Sequence, residues 1–332
     1  MAAISSFFTR AVAFLVSLFM TVIPILQSPV PPVLKTKQED CLLNVAMLSD
    51  THIEEKELLR KGFLIEGLKN LENFESPVDG VIHCGDITNY ADEASLAIYY
   101  DIIKEYSPAP VITCAGNHDI GHAGDRDVTD ITREQARENY IKYQSEYSGI
   151  EMQGNYFSTE INGYKFIVIG DECIDGGHWD AISMTDEEIA FLDSELASGT
   201  AEGKPVFVCS HWPFDGVNGE DTVWDGSGIE TEEYDLRPIL EKYKNVFWIS
   251  GHMHGGFKSQ AAAEATGLSN AEKINGVTYL SLPTYGIVNW FGVTWPCTGA
   301  MLEVYENEVI FRPRNFVSEI WYEDCEYTFT LD

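Results

Sequence analysis

Residues that could perform chemistry are concentrated in short polar segments that follow apolar runs. Of the 8 histidines, His52, His118, His211, His252 and His254 lie in such segments. The same segments also contain Asp50, Asp86 and Asn117. Carboxylate, imidazole and amide groups without a thiolate are a ligand set for Mn, Fe, Zn or Co. They are too many for one ion, but two ions about 3.5–4 Å apart that share a carboxylate would accommodate them all.

One of these segments, Gly116–Asp119, shows why no single segment decides the question. Gly116–Asp119 follows the apolar run Pro110–Ala115 and contains an asparagine, a histidine and an aspartate. Asn, Asp and Gly are also the usual residues of turns, so the segment alone fits an ordinary loop at least as well. The metal-site interpretation therefore depends on the other segments lying in the same part of the fold.

The elements that must bring these segments together follow a repeating pattern. The apolar runs Leu42–Leu48, Gly80–Cys84 and Pro110–Ala115 predict buried strands, and each ends in a polar segment. Helical spacing over Lys56–Asn73 and Ala91–Tyr106 predicts a helix after each of the first two strands. This alternation is typical of a parallel α/β sheet. Because ligands bind beyond the carboxyl ends of strands in such sheets, we expect the polar segments to converge.

The middle of the chain continues this pattern. Asn162-Gly163 predicts the turn of a β-hairpin. Lys204–Cys209 and Val246–Ser250 predict two more strands, and each again ends before a polar segment. Thr185, with Glu188 three residues later, predicts a capping box at a helix start. The predicted helices in this part are Thr132–Tyr147, Thr185–Leu196 and Glu232–Tyr243.

The C-terminal part differs, because strand patterns follow one another without a helical pattern between them. We therefore predict an antiparallel layer that is joined to the α/β part, with one domain over residues 41–332. The predicted strands are Val277–Leu282, Ala300–Tyr305, Glu308–Pro313 and Glu319–Leu331.

The charge of the chain restricts its partners. With 53 acidic and 21 basic residues, the formal net charge is −32 and the isoelectric point is about 4.4. Such a chain repels polyanions, so we expect it to bind neither nucleic acid nor an anionic membrane surface. An anionic substrate would need positive charge inside the site itself.

The N-terminus predicts export. Ala11–Leu26 is almost wholly apolar, follows a short segment with one basic residue, and precedes a Pro-rich stretch. A run of this length is short for a membrane-spanning helix, which needs about 20 residues, and it suits the core of a signal peptide. We predict a signal peptide or a retained signal anchor over 1–27 and a linker over 28–40. A buried helix of the fold is the alternative. The predicted location is extracellular or at the cell surface.

The 7 cysteines are divided by position. Cys84, Cys114 and Cys209 each end an apolar run, so we expect them to be buried as small apolar side chains. The other four cysteines lie outside such runs and could form disulfides in an oxidising compartment: Cys41, Cys173, Cys297 and Cys325.

In chain order, the polar segments resemble the signature of the calcineurin-like metallophosphoesterases. The matching motifs are Asp50-x-His52, Gly85-Asp86, Gly116-Asn117-His118-Asp119, His211 and Gly251-His252-x-His254. The resemblance spans roughly residues 42–255, and the wording of the motifs is most similar to the bacterial phosphodiesterase branch. It implies a four-layer α/β/β/α sandwich with two mixed β-sheets.

The resemblance also implies a role for each motif residue. One metal ion would be held by Asp50, His52 and His254. The other would be held by Asn117, His211 and His252, with Asp86 between the two ions. His118 would face the substrate and assist the leaving group, and Asp119 would orient it. A hydroxide that bridges the ions would attack phosphorus in line with the leaving oxygen.

The resemblance also suggests residues that contact the substrate and a class of substrate. Asn89 resembles a position that contacts phosphate in some phosphodiesterases, with a helix N-cap as the alternative, and His122 is close enough in sequence to line the pocket. In purple acid phosphatases the Asn89 position holds a metal-binding tyrosine, so an iron–tyrosinate enzyme is disfavoured. We predict a hydrolase of small phosphoesters with a slight preference for diesters. A phosphomonoesterase and, more remotely, a non-catalytic metal-binding scaffold are the alternatives.

Overall fold

The computed structural model describes residues 40–74, 77–120, 131–172, 182–219, 228–229 and 236–332. The predicted signal segment, nearly all of the predicted linker, Cys173 and His122 lie outside these residues. No helix among the described residues is both long and apolar enough to cross a membrane.

The described residues form twelve strands and six α-helices. Strands and helices largely alternate in the first two-thirds of the described chain, and strands dominate the end. The strands are β1 (Leu43–Leu48), β2 (Gly80–Cys84), β3 (Val111–Cys114), β4 (Phe157–Ile161), β5 (Tyr164–Val168), β6 (Val206–Cys209), β7 (Val246–Ser250), β8 (Ala271–Ile274), β9 (Val277–Ser281), β10 (Thr298–Val304), β11 (Glu308–Asn315) and β12 (Tyr327–Thr330). The helices are α1 (Leu59–Glu72), α2 (Glu93–Tyr106), α3 (Arg133–Ser148), α4 (Asp186–Gly199), α5 (Arg237–Leu240) and α6 (Gln260–Thr266).

The strands form two mixed sheets of six. The first has the order β12-β11-β10-β1-β2-β3, and the second has the order β4-β5-β6-β7-β9-β8. Strands β1, β2 and β3 are parallel to one another, as are β5, β6, β7 and β9. Strands β1, β2 and β3 are buried along their whole length, as expected for strands covered on both faces. The predicted fold class is confirmed.

Alternating side chains of the second sheet explain how the two sheets stack. Phe207 and Phe247 belong to the core that also contains β1, β2 and the helices over the first sheet. Val208 and Trp248, one position further along, pack in a separate core with Leu192 of α4. Because successive side chains of a strand point to opposite faces, one set joins the two sheets and the other joins the second sheet to its helices. The result is the four-layer α/β/β/α sandwich.

The predicted capping box at Thr185 is only half correct. Thr185 caps α4 by accepting a hydrogen bond from the main-chain N–H of Glu188. The Glu188 carboxylate does not return to Thr185, because it accepts a hydrogen bond from the N–H of Gly170 at 3.1 Å. A complete box occurs instead at the start of α3, between Thr132 and Gln135.

The prediction of a single antiparallel C-terminal layer is wrong. Strand β9 lies in the second sheet, parallel to β7, whereas β10, β11 and β12 run antiparallel beside β1 in the first sheet. Helix α6 and strand β8 were not predicted from the sequence. Helix α6 buries none of its residues and β8 is an edge strand, so neither has the apolar periodicity that identifies a core element.

The cysteines favour packing over pairing. Cys84, Cys114 and Cys209 are fully buried in the core, as predicted. No disulfide joins any two of the six described cysteines, so Cys41, Cys297 and Cys325 do not form the disulfides that their positions allowed.

Phe207 tests the packing between the sheets. Its ring centroid lies 5.0 Å from that of Phe166 and 5.4 Å from that of Phe247, and it has no exposed surface. Phe207→Ala should lower the free energy of unfolding by about 3–5 kcal/mol through lost burial and the cavity it leaves. Chemical denaturation measures this change. The exposed Val288 is the control, since Val288→Ala should stay within about 0.5 kcal/mol. Equal effects of the two substitutions would contradict this packing.

Candidate metal centre

The two sheets bring all of the predicted ligands to one place. The residues that follow the parallel strands meet at the carboxyl-end edge of each sheet, where the two sheets face each other. From the first sheet come Asp50 and His52 after β1, Asp86 after β2, and Asn117 and His118 after β3. From the second sheet come His211 after β6, and His252 and His254 after β7.

Four of these side chains form a compact donor cluster. One ligand atom from each of Asp50, His52, Asp86 and His254 lies within 4.8 Å of the others. The Nε2 atom of His254 is 3.0 Å from Oδ1 of Asp50 and 3.2 Å from Nε2 of His52. Two carboxylates and two imidazoles at such distances can surround one metal ion.

A second set of donors lies on the other side of Asp86. The Nε2 atom of His211 is 3.1 Å from Oδ1 of Asn117 and 3.2 Å from Nδ1 of His252. Oδ2 of Asp86 is 3.4 Å from this His211 nitrogen and 3.7 Å from Nε2 of His52 in the first cluster. Asp86 therefore lies between the two sets of donors.

The electrostatics of the centre favour a bound cation. Although burial opposes ionisation, the imidazoles of His254 and His211 lower the pKa of Asp50 to about 2. Burial also opposes protonation of His211, but the Asp86 carboxylate outweighs it and raises the pKa of His211 to about 10. Two buried carboxylates thus retain negative charge and hold a proton nearby. A bound metal ion would compensate the same buried negative charge in place of the proton.

Two further histidines are neutral, as metal ligands must be. Burial lowers the pKa of His52 well below its usual value. Burial and the nearby His211 lower the pKa of His252 to about 3. Together with the buried carboxylates, these neutral imidazoles make a donor set that fits metal ions.

The backbone of the centre is strained. Positive φ angles between 46° and 73° occur at Asp50, His52, Asp86, His252 and His254. Residues other than glycine adopt this region at a cost of about 1–3 kcal/mol each. The left-handed residues turn the chain sharply after β1, β2 and β7, so that side chains from nearby positions point into the same small volume.

Glycines allow the motif segments to approach one another. A Cβ atom at Gly116 would overlap the carboxylate of Asp86, and one at Gly251 would overlap Oγ of Ser49 and lie 2.7 Å from Oδ2 of Asp50. Both glycines therefore occupy their motif positions because no side chain fits there.

Main-chain contacts orient His211. Its Nδ1 lies 2.8 Å from the carbonyl oxygen of Cys84, in the other sheet. A carbonyl only accepts hydrogen bonds, so Nδ1 carries a proton and Nε2 faces Asp86. This kind of outer contact fixes the ring orientation of metal-binding histidines.

His118 and Asp119 do not form the pair that was predicted. The His118 ring lies edge-on to His52, with centroids 4.6 Å apart, and its Nδ1 is 3.1 Å from the carbonyl oxygen of Asn89. The Asp119 carboxylate accepts four hydrogen bonds of 2.8–3.0 Å, from the N–H groups of Gly116, Ile87 and Thr88 and from the Thr88 hydroxyl. Asp119 thus fastens two loops together, and its effect on His118 is indirect.

Asn89 contacts the site in an unexpected way. Its side chain does not cap α2, because Asp92 is the N-cap of that helix, so that alternative is wrong. Its amide nitrogen donates to Oε1 of Glu54 at 2.7 Å. Glu54 and its partner Arg60 were not predicted from the sequence, because a Glu and an Arg six positions apart do not have the i,i+3 or i,i+4 spacing that identifies a helical ion pair.

The loop after β9 also contacts the centre. The Thr284 hydroxyl and the Gly286 N–H donate to the carbonyl oxygen of Asp50, at 2.9 and 3.0 Å. The N–H of Trp290 donates to the carbonyl oxygen of His254 at 3.0 Å. This loop was not predicted to reach the site, because β9 was expected in an antiparallel layer. A strand parallel to β7 instead delivers its carboxyl end to the site.

Comparisons with known proteins agree with this geometry. The family model of calcineurin-like phosphoesterases matches residues 43–256. A dimetal phosphatase from Danio rerio has a similar fold, with a TM-score of 0.58 and 12% identity over 88% of this chain and 100% of that one. A purple acid phosphatase from Lupinus luteus also has a TM-score of 0.58, with 16% identity over 87% of this chain and 53% of that one. No curated protein sequence matches the chain significantly. The chain belongs to the calcineurin-like phosphoesterase family and is a metallophosphoesterase, a phosphoric ester hydrolase.

Proposed function

We propose that this protein hydrolyses small phosphoesters at a centre of two metal ions and that it prefers phosphodiesters. The position of Asp86 carries the proposal. Its Oδ2 atom is 3.7 Å from Nε2 of His52 and 3.4 Å from Nε2 of His211, which belong to different sets of donors. A carboxylate between two donor sets is the arrangement that a two-metal site requires.

Each set of donors would hold one ion of Mn, Fe, Zn or Co. One ion is assigned to Asp50, His52 and His254, and the other to Asn117, His211 and His252, with Asp86 shared between them. When bound, such ions supply the positive charge that binds phosphate oxygens and activates water. This local charge offsets the formal charge of −32 on the chain, which otherwise repels an anionic substrate.

His118 is proposed to act on the leaving group. Because the carbonyl of Asn89 can only accept a hydrogen bond, Nδ1 of His118 carries a proton. Nε2, on the other side of the ring, is then the atom that transfers a proton to the leaving oxygen. The main-chain N–H of His118 donates to Oδ1 of Asp86 at 2.9 Å, which fixes the residue beside the metal ligands. Proton transfer to the departing oxygen then accelerates ester cleavage.

The charge around the centre supports the preference for diesters. A diester carries one negative charge at neutral pH, whereas a monoester carries about −1.5 to −2. Arg60 reaches the edge of the centre by donating to the carbonyl oxygen of His52 at 2.8 Å. Its charge is already matched by Glu54 at 3.1 Å. The residues of the motifs also resemble those of the bacterial phosphodiesterase branch. A phosphomonoesterase of the same fold is the second candidate, supported by the dimetal phosphatase with the similar fold.

We further propose that the protein is exported from the cell. The apolar segment Ala11–Leu26 supports a signal peptide, with a retained membrane anchor as the alternative. The strongly acidic composition supports partners that are small molecules rather than nucleic acids.

His118→Ala should keep both metal ions and lose most of its turnover. Since the imidazole is assigned to proton transfer and not to metal binding, kcat should fall about 10²–10⁴-fold. Steady-state kinetics and elemental analysis of the same preparation measure the two effects. A variant that loses metal would show that His118 is a ligand, contrary to this role.

Substitution of the shared carboxylate should affect both metal sites. Asp86→Asn is expected to reduce bound metal from about two ions per chain towards none, whereas His254→Ala should remove about one. Inductively coupled plasma mass spectrometry after dialysis measures the stoichiometry. If Asp86→Asn and His254→Ala each lost the same single ion, Asp86 would not be shared.

The substrate preference can be tested with paired esters. After metal removal with a chelator and reconstitution with Mn, Zn or Fe, kcat/KM for a bis-aryl phosphate should exceed that for the matching aryl monoester at neutral pH. The reverse order would support the phosphomonoesterase. Hydrolysis of neither ester, nor of nucleotides or phospholipid headgroups, with any of the metals would support the non-catalytic scaffold.

A further inference from the structure

Asn89 is fixed from three sides beside the metal centre. Its main-chain N–H donates to the carbonyl oxygen of Ile53 at 3.2 Å. Its side-chain amide donates to Oε1 of Glu54 at 2.7 Å, and its carbonyl oxygen accepts from Nδ1 of His118 at 3.1 Å. The same residue therefore receives the His118 ring with its main chain and is held by Glu54 through its side chain.

Glu54 is itself held by a cation. Oε1 of Glu54 is 3.1 Å from Nη1 of Arg60, which also donates to the carbonyl oxygen of His52 at 2.8 Å. The side chains of Glu54 and Arg60 are 31% and 22% exposed, so the pair lies at the rim of the centre. A continuous chain of hydrogen bonds thus runs from the main chain of His52 through Arg60, Glu54 and Asn89 to the ring of His118.

We propose that Glu54 is a positioning residue for His118. This inference rests on the proposed function, in which His118 transfers a proton to the leaving oxygen. By accepting from the Asn89 amide, Glu54 fixes the orientation of the residue whose carbonyl receives Nδ1–H. The carbonyl then keeps the proton on Nδ1 and directs Nε2 towards the substrate.

The charges in this chain of contacts explain why a glutamate can lie so close to an anionic substrate. An isolated carboxylate at the rim would repel the phosphate. Arg60 compensates it within hydrogen-bond distance, so Glu54 can accept two hydrogen bonds without adding net charge. The acceptor facing His118 is a neutral carbonyl, so no negative charge has to be placed beside the substrate to orient the ring.

Leaving-group dependence separates positioning from a general structural effect. In Glu54→Ala the Asn89 amide loses its acceptor, and His118 should transfer its proton less effectively. The kcat for a diester with an alkoxide leaving group should fall about 10-fold, whereas a nitrophenyl diester, whose leaving group departs without a proton, should change less than about 3-fold. Metal content and melting temperature should remain those of the wild type.

Two variants act as controls. Glu54→Gln keeps an amide oxygen as the acceptor for Asn89 and Arg60, so it should retain most of the alkyl-ester activity. Glu55→Ala removes the same charge one position away, and it should behave as the wild type, because the described hydrogen bonds of Glu55 use only its own main-chain N–H and carbonyl oxygen. Equal losses for both esters, loss of metal in Glu54→Ala, or a Glu54→Gln variant as impaired as Glu54→Ala would overturn the positioning role.

Imidazole NMR provides a readout that does not need activity. With ¹⁵N-labelled, metal-free protein and with His118→Ala to identify the signals, the His118 ring should show a protonated Nδ1 in the wild type and in Glu54→Gln. Glu54→Ala should show a mixture of tautomers. An unchanged ring signature in Glu54→Ala would overturn the proposal even in an active enzyme. A wild-type protein that shows the expected tautomer but hydrolyses no ester would overturn the proposed function instead.

Discussion

Two buried carboxylates at the junction of the sheets determine how this structure is built around its centre. Asp50 and Asp86 are 0% and 1% exposed, and each lies beside an imidazole: Nε2 of His254 is 3.0 Å from Oδ1 of Asp50, and Nε2 of His211 is 3.4 Å from Oδ2 of Asp86. Burying such charge is unfavourable unless a cation or several donors accompany it. The surrounding residues supply both, since the centre collects four imidazoles from the two sheets together with main-chain donors such as the N–H of His118.

The same requirement couples the sheets to each other. The ring of His211, which follows a strand of the second sheet, donates to Cys84 in the first. The N–H of His252 lies 3.3 Å from Oδ2 of Asp50, again across the two sheets. Because the sheets are joined by the apolar core beneath and by these polar contacts above, the core fixes the distance between donors that come from different sheets. Stability and function are thus coupled through the distance between the sheets.

The convergence of the donors requires a strained backbone, and hydrogen bonds from neighbouring segments stabilise it. Asp50 and His52 have left-handed φ angles, yet their N–H groups donate to the carbonyl oxygens of Gly85 and Asp86 at 2.9 Å. The Asp119 carboxylate, with its four donors, holds the loop after β2 against the loop after β3. The strained turn after β1 is therefore held by hydrogen bonds to the turn after β2, and that turn is held by hydrogen bonds to the segment after β3.

The sequence by itself determined the two features that depend on local patterns: the parallel strands with polar segments at their ends, and the identity of the donors in those segments. Apolar runs report burial and motif spacing reports donor type, so both could be predicted without a structure. Only the tertiary structure decided that β9 joins the second sheet, that Asp119 holds loops rather than the His118 ring, and that Glu54 and Arg60 reach the centre through Asn89. Those facts depend on pairing between distant segments and on main-chain carbonyls, and neither leaves a periodic mark in the sequence.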